Sequence, residues 1–396
     1  MKLLAINSGS STLKFRLYEM PDEKVLMKGS FEQIGSVNSN YSIRIGDNKV
    51  QGKVVLNNHQ DAVNMLLDQL LNNGVISSMN EIEAVGHRVV HGGNKYSNSV
   101  VVTERVLSEI EHIKDFAPLH NPAALVGISA FMTAIPNALE VVCFDTAFHQ
   151  SIPEENYLYS IPYEWYVKYD IRKYGFHGLS HKYISMKMSK LLNKEKFNLV
   201  VCHIGNGASI SAIKDGKCID TSMGFTPNAG IMMGTRSGDI DYSIIGYVMK
   251  KENLSYKEVD DILNKKSGLQ GITGMSDLRD IDRAFIANDR KVKLAIDMYT
   301  RRIANYIANY YLLLDGIDAI CFTAGGGEND DIIRGEVLKK LSPLGVIIDP
   351  IKNKNTIVRK GVEGLITADD SSIPVYVMAT DEELMIAKDT YQLASN

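Results

Sequence analysis

No C-x-x-C pair occurs in this chain, and there are only four cysteines: Cys143, Cys202, Cys218 and Cys321. The missing motif argues against a thiolate zinc site or a dithiol redox centre. Three of the four thiols sit in apolar runs, where cysteine behaves as a small hydrophobe, so a reducing, cytoplasmic setting is expected. A basic excess is lacking too. Lys and Arg number 43 against 47 Asp and Glu, a net charge of −4. That balance would not neutralise a nucleic-acid backbone or an acidic membrane, and neither is expected as a partner. Any bound anion must be held by local groups. Long apolar runs are also missing: the longest uncharged one, 123–135, is too short to span a bilayer. Only Leu3-Leu4-Ala5-Ile6 separates Lys2 from Asn7, too little for a signal-peptide core. No Walker loop and no low-complexity segment is present.

What is present is ordinary in bulk and unusual in arrangement. Apolar residues make up 45% and charged residues 23% of 396 positions, as in globular proteins of two or three domains. Two segments half a chain apart look alike. Residues 3–15 and 199–211 each run from an apolar stretch through a knot of small residues into an apolar/polar alternation. Each reads as a β-hairpin with a nearly bare tip. Unencumbered N–H groups at such a tip make an anion-binding concavity. Two of them point to a duplicated domain pair holding one polyphosphate.

Residues 1–58 read as consecutive strands, from the alternation at 13–18 and 41–45. Helices then follow near 62–71, 106–113 and 123–133, with strands near 82–86 and 139–144. A mixed sheet covered by helices is the expected fold, α/β in class. A similar cycle restarts near Asn198. Ser255 and Glu258 form a capping-box signature for a helix expected to stop near Gly268. A long amphipathic helix spans 290–314, and a buried strand at 317–322 runs into a glycine-rich loop, 323–329. The Lys/Asn-rich stretch 350–361 reads as a solvated loop. A strand at 375–378 and a helix at 381–393 end the chain.

Seven strings carry candidate chemistry. Between Asn7 and Lys14, backbone donors suit phosphate oxygens and Lys14 adds a point charge; a plain turn is the bland alternative. The triple glycine Gly325-Gly326-Gly327 admits close approach to backbone before a helix N-terminus. Arg236, set among small residues, can reach developing negative charge, or simply pair with Asp239 on the surface. Arg88, with Val90 on the same face, suits a small carboxylate with an apolar tail. His87 and His91 would make a metal pair on a helix, but the flanking residues read as a strand. Asp145 ends a buried strand, where active-site groups of α/β sheets collect, or acts as a cap. His177, between glycines, is catalytic or structural. In 380–383 a capping box would occupy Glu383 and leave Glu382 as the freer carboxylate for magnesium.

Taken together, these strings resemble the acetate kinase family along nearly the whole chain, through 7–15, 86–93, 117–122, 144–149, 174–181, 203–209, 224–227, 234–241 and 380–387. The resemblance implies a duplicated ribonuclease-H-like fold of the actin/Hsp70/sugar kinase type. It implies an N-terminal domain of 1–148 plus 380–396 and a nucleotide-binding domain of 149–379. It further implies reversible transfer of the ATP γ-phosphoryl to acetate, giving acetyl phosphate and ADP, with Mg2+ (or Mn2+) as cofactor and a homodimeric assembly. Asn7 and Glu382 would hold the metal. Lys14, His203, Ile204, Gly205, Asn206, Gly207, Asp277, Leu278, Arg279, Gly325, Gly326, Gly327 and Glu328 would surround the nucleotide. Arg88 would bind the substrate carboxylate, and Val90, Leu119 and Pro227 would line its methyl pocket. His177 and Arg236 would stabilise the transferring group, Asp145 would be the catalytic carboxylate, and His120 would lie nearby.

Thr12, Ala324, Gly326, Asn228-Ala229 and Tyr242 depart from the usual family pattern, while every charged catalytic position is kept. Because a carboxylate acceptor is already ionised, Asp145 is expected to orient Arg88 or the metal shell rather than take a proton. Propionate is the nearest rival substrate. An actin- or Hsp70-like ATPase is the rival from another class, without a visible polymer-forming or peptide-binding region.

Overall fold

A computed structural model describes residues 1–118 and 120–395. The chain forms two compact units: residues 1–150 with the C-terminal end from Asp381, and residues 151–380.

The first unit is built on eight strands: β1 (Lys2–Ser8), β2 (Thr12–Glu19), β3 (Lys24–Glu32), β4 (Ser36–Ile45), β5 (Asn48–Leu56), β6 (Ile82–Val89), β7 (Val100–Val101) and β8 (Leu139–Phe144). Their order is β5-β4-β3-β2-β1-β6-β8-β7. Alternation in β2 buries Leu13, Phe15 and Leu17 and turns Lys14 outward. Those buried side chains join Leu4, Ile6, Phe31, Leu66 and Phe131 in one core, under the helices His59–Asn72 and Asn121–Ala134. The parallel strands β1, β6 and β8 are covered on both faces, so β8 is buried from Glu140 to Phe144 and apolar apart from Glu140, which pairs with His87.

The second unit has six strands: β9 (Asn198–Ile204), β10 (Ala208–Lys214), β11 (Lys217–Thr221), β12 (Ala319–Thr323), β13 (Gly364–Leu365) and β14 (Val375–Val377). Their order is β11-β10-β9-β12-β14-β13. In each unit an antiparallel trio is followed by two strands parallel to its first strand, one beside it and one beyond: β3-β2-β1-β6-β8 and β11-β10-β9-β12-β14. The repeat noticed as similar strings is therefore a repeat of topology.

Gly86 deserves its place in β6 for a steric reason. A Cβ there would fall 2.1 Å from Thr390 Oγ1 and 2.6 Å from Ile386 Cγ2 of the helix Glu382–Ala394. The bare backbone lets that helix settle on β6, close to Arg88.

Four local expectations need correction. The stretch after β12 is no loop: Ala324–Asn329 is a short helix, entered through Ala324 at φ 64°. Small residues let the chain turn directly from strand to helix there. The 350–361 stretch contains the helix Pro350–Asn355, capped by Asp349, and a 3-10 turn at Val358–Lys360. The helix opened by Ser255 does have its capping box but ends at Lys265. The last helix is capped by Asp381, whose carboxylate accepts from Leu384 N, so Glu383 is not engaged by a box with Thr380. Glu383 instead pairs with Arg16 at 3.3 Å.

Candidate active site

In the first unit, the C-terminal ends of β1 and β6, the residue after β8 and the start of the last helix supply one polar cluster. Its centre is Arg88. Nε donates to Asp145 Oδ1 at 3.0 Å and one terminal nitrogen to Asp145 Oδ2 at 2.5 Å. The other terminal nitrogen donates to Asn7 Oδ1 at 3.3 Å, and Glu382 lies 4.0 Å from Nε. Asp145 is buried, and its own N–H continues the ladder to Val89 O. Burial works against the Arg88 charge, but Asp145 and Glu382 outweigh it and the net shift is upward. A guanidinium held along one edge, at two of its nitrogens, by a carboxylate is fixed in orientation.

Glu382 is affected in the opposite sense. Burial pushes its carboxyl up to about 7; Arg88 opposes that, and Asp145 and Glu383 add to it. Lys14, opposite Asn7 in the β1–β2 ladder, contributes a further favourable charge. Asn7 and Glu382 are hard oxygen donors, the kind magnesium takes while keeping several waters. Among the described residues no group of three His, Cys, Asp or Glu is placed to hold a metal.

The other candidates of this unit are placed more loosely. Val90 follows β6, half-buried. His120 is exposed at the start of the helix Asn121–Ala134. Leu119 lies outside the described residues. His87 and His91 are not brought together: His87 Nε2 meets Glu140 at 2.5 Å, while His91 is bonded through its backbone to Asn121. Burial pushes the His91 imidazole down to about 3.

In the second unit, the β9–β10 tip is Gly205-Asn206-Gly207. Gly205 and Asn206 open onto a cavity of about 560 Å³ shared with Asp277, Leu278, Arg279, Gly325 and Gly326. That volume is within the range of small-ligand pockets. Asp277 caps the helix Leu278–Ile286 and pairs with Arg279, which presents a fixed ion pair at the rim. The Gly326 departure has a local answer: Leu278 Cδ1 lies 2.7 Å from where its Cβ would be, so leucine fills space an isoleucine would take. Gly327 and Glu328 do not line the cavity. The Gly327 carbonyl accepts from Arg334, and Glu328 accepts from the backbone of Ala324 and Thr380.

Beside the same tip stand His177 and Arg236. A Cβ on Gly207 would lie 3.2 Å from an Arg236 terminal nitrogen and 3.6 Å from His177 Nε2. Arg236 does not pair with Asp239, which instead accepts from Gly230 N and the Tyr306 hydroxyl. It donates to the Pro227 carbonyl at 3.1 Å. Among the described residues it has no carboxylate partner, and burial lowers its pKa. Such a guanidinium is short of negative charge. His177 occupies the left-handed region at φ 58°, an uncommon conformation for a bulky residue. Its ring stacks on His203 at 4.1 Å.

Sequence reasoning missed several neighbours. Asp282, Asp330, Tyr299 and Arg359 line the cavity. Asp282 was hidden because helical spacing alone cannot tell an inward carboxylate from an outward one. Arg359 was dismissed with its solvated stretch.

The Acetokinase family model matches residues 2–388. The acetate kinase of Geobacillus sp. (strain WCH70) is 50% identical over 397 residues, covering 100% of this chain and 99% of the relative. That of Thermotoga maritima is 51% identical, covering 99% and 98%. The crystal structures of Porphyromonas gingivalis acetate kinase and of a propionate kinase from Francisella tularensis each superpose with a TM-score of 0.93 at 41% identity, covering 99% of both chains. Matched by the family model over nearly its whole length and half identical to full-length acetate kinases, the chain belongs to the acetokinase family, kinases that phosphorylate a carboxyl group.

Proposed function

We propose that the reaction is direct in-line transfer of the ATP γ-phosphoryl to acetate, reversible and dependent on a divalent metal. The observation that carries this reading is the contrast between the two arginines. Arg88 is fixed by Asp145 and has a remaining edge for a carboxylate. Arg236 has no carboxylate of its own and suits charge that develops during transfer. Arg88 binds acetate, with Val90, Leu119 and Pro227 around the methyl group. The nucleotide takes the second unit's cavity, its phosphates toward Gly205–Gly207 and its ribose toward Asp277 and Arg279. Lys14, His203, Ile204, Gly327 and Glu328 complete or support that surround.

Asn7 and Glu382 hold magnesium, which when bound neutralises phosphate charge. Acetate is ionised at neutral pH and needs no general base. Asp145 therefore acts as a positioning carboxylate for Arg88. Arg236 and the His177 Nε2–H supply charge stabilisation and a hydrogen bond to a loose, metaphosphate-like transition state. A homodimer in the cytoplasm is the working form, by resemblance to the family; sedimentation tests the assembly.

Propionate is kept as a second acceptor because a propionate kinase shares the fold at 41% identity. One methylene is worth about 1–3 kcal/mol in an apolar pocket. A hydroxamate assay for acyl phosphate with acetate, propionate and butyrate side by side decides the order. Acetate should give the highest kcat/KM. ATP turnover without any acyl phosphate would overturn the reading.

A further inference from the structure

The second unit holds a polar network that the reaction scheme leaves unused. Ser209, the second residue of β10, is fully buried, and so is His181. The Ser209 hydroxyl lies 2.9 Å from His177 Nδ1 and 2.7 Å from His181 Nε2. One hydroxyl thus bridges two imidazoles. A serine hydroxyl has a single proton to give. If it donates to one ring, it accepts from the other.

The direction follows from what His177 faces. Its Nε2 is turned toward the Gly207 tip, where an Arg236 nitrogen also points. A bare lone pair on Nε2 would repel a phosphoryl oxygen; an N–H would bind it. With the proton on Nε2, the neutral ring leaves Nδ1 as an acceptor. Ser209 then donates to Nδ1 and is itself satisfied by a proton from His181 Nε2. The opposite order would leave an acceptor pointing at the anion. A doubly protonated His177 would set a cation against the stacked His203 ring and beside Arg236.

The ring orientation is fixed from the other face as well. His203 Nδ1 meets the Ser180 hydroxyl at 2.8 Å, and Ser180 meets the Thr380 hydroxyl at 2.7 Å. His203 is therefore a braced plate under His177, so the choice left to His177 is which nitrogen carries its proton.

We propose that Ser209 is a positioning residue for phosphoryl transfer: its hydroxyl accepts from His181 Nε2 and donates to His177 Nδ1, fixing His177 with its proton on Nε2. This rests on the reading of His177 given under Proposed function. The principle is that of an imidazole whose useful tautomer is set by the partner of its other nitrogen.

The test combines kinetics with ¹⁵N NMR of the histidine rings in the full-length protein. In the unmodified protein, His177 and His181 should both show the Nε2–H tautomer. Ser209→Ala should lower kcat about tenfold, keep both KM values within about twofold, and convert the His177 signal to a mixture of tautomers. Ser209→Thr, which keeps the hydroxyl, should restore the single tautomer and most of kcat. The proposal fails if unmodified His177 carries its proton on Nδ1. It also fails if Ser209→Ala keeps full kcat, or loses it with the tautomer pattern unchanged. The wild-type spectrum decides the matter even if Ser209→Ala does not fold. A fully active His177→Ala would instead sink the catalytic reading of His177, an outcome separate from the tautomer result.

Discussion

Replacing Asp145 separates a positioning carboxylate from a proton acceptor. Asp145 makes two hydrogen bonds to Arg88, at 3.0 and 2.5 Å, and is buried. Asp145→Asn keeps one acceptor oxygen and loses the charge and one of the bonds. A hydrogen bond to a charged group is worth about 1.5–3 kcal/mol, so the first unit should lose about that much stability. For a domain of this size the thermal midpoint falls roughly 2–4 °C for each kcal/mol, or about 3–12 °C in all. Asp145→Ala removes the paired carboxylate, and both of its hydrogen bonds, from a mostly buried guanidinium and should cost about 3–5 kcal/mol. Arg88 still touches Asn7 and Glu382 in either variant. It stays near its place but loses its fixed orientation. Acetate KM should therefore rise about tenfold in Asp145→Asn, while kcat falls by no more than about tenfold. The assays are acyl hydroxamate formation over a range of acetate concentrations and differential scanning calorimetry. A thousand-fold loss of kcat with unchanged acetate KM and thermal midpoint would refute the argument, because a charge that only holds Arg88 cannot act on kcat alone.

Arg236→Ala should cut kcat by on the order of a thousand-fold with little change in acetate KM, since its guanidinium meets charge that develops during transfer; wild-type turnover would remove it from that role. Arg88→Ala should raise acetate KM as well as lower kcat, measured in the same assay. Gly86→Ala places a methyl 2.1 Å from Thr390 Oγ1, which should cost about 1–3 kcal/mol and raise the magnesium concentration for half-maximal activity by shifting the helix that carries Glu382; an unaltered magnesium titration would break that link. Burial, then Asp330 and Asp331, pushes the Asp282 carboxyl up to about 7. A carboxyl raised above its unfolded value contributes stability that is full below that unfolded value of 3.8 and is lost progressively until about pH 7. Asp282→Asn should thus raise the thermal midpoint at pH 8 by a few degrees and change it little at pH 4, and equal shifts at both pH values would contradict the assignment.

Strands and the site's charged residues were legible for different reasons. β8 is apolar except for Glu140, which pairs with His87, because both its faces are covered, and the first hairpins alternate because one face carries Lys14 and Arg16. Such burial patterns survive in sequence. The Ala324–Asn329 helix did not, because its glycines are poor helix formers and its geometry is imposed by β12 and by Glu328 bonding Ala324 N. The cap of the last helix was misplaced by one residue because Thr380 and Asp381 are both good caps, and only the Ser180–Thr380 contact shows which one is engaged elsewhere. Arg88 stood out in sequence, but nothing there could reveal that Asp145 holds it at two of its nitrogens. That pairing depends on β6 and β8 being neighbours, a long-range fact. Asp282 and Ser209 were invisible for the same reason.

The duplicated hairpins show how one backbone device serves two chemistries. In the first, Asn7 at the end of β1 lies opposite Lys14 in β2. In the second, His203 near the end of β9 lies opposite Ser209 in β10. Counted from the bare tips, Gly9 and Gly205, these are matching places in the two ladders. One copy puts a metal-suited amide and a cation there. The other puts a stacked imidazole and a buried hydroxyl that faces two histidines. The tip itself is kept small in both, as backbone approach to an anion requires. What changes is the pair of side chains just behind it, and that pair decides whether a hairpin adds charge or orients donors. Exchanging the two characters is informative. Ser209→Lys would bury an ammonium between the imidazoles of His177 and His181, and should abolish the fold of the second unit rather than transplant the function of Lys14. A folded, active Ser209→Lys protein, judged by circular dichroism and acyl hydroxamate formation, would show that the two positions are interchangeable and that the buried network does not fix the second hairpin's role.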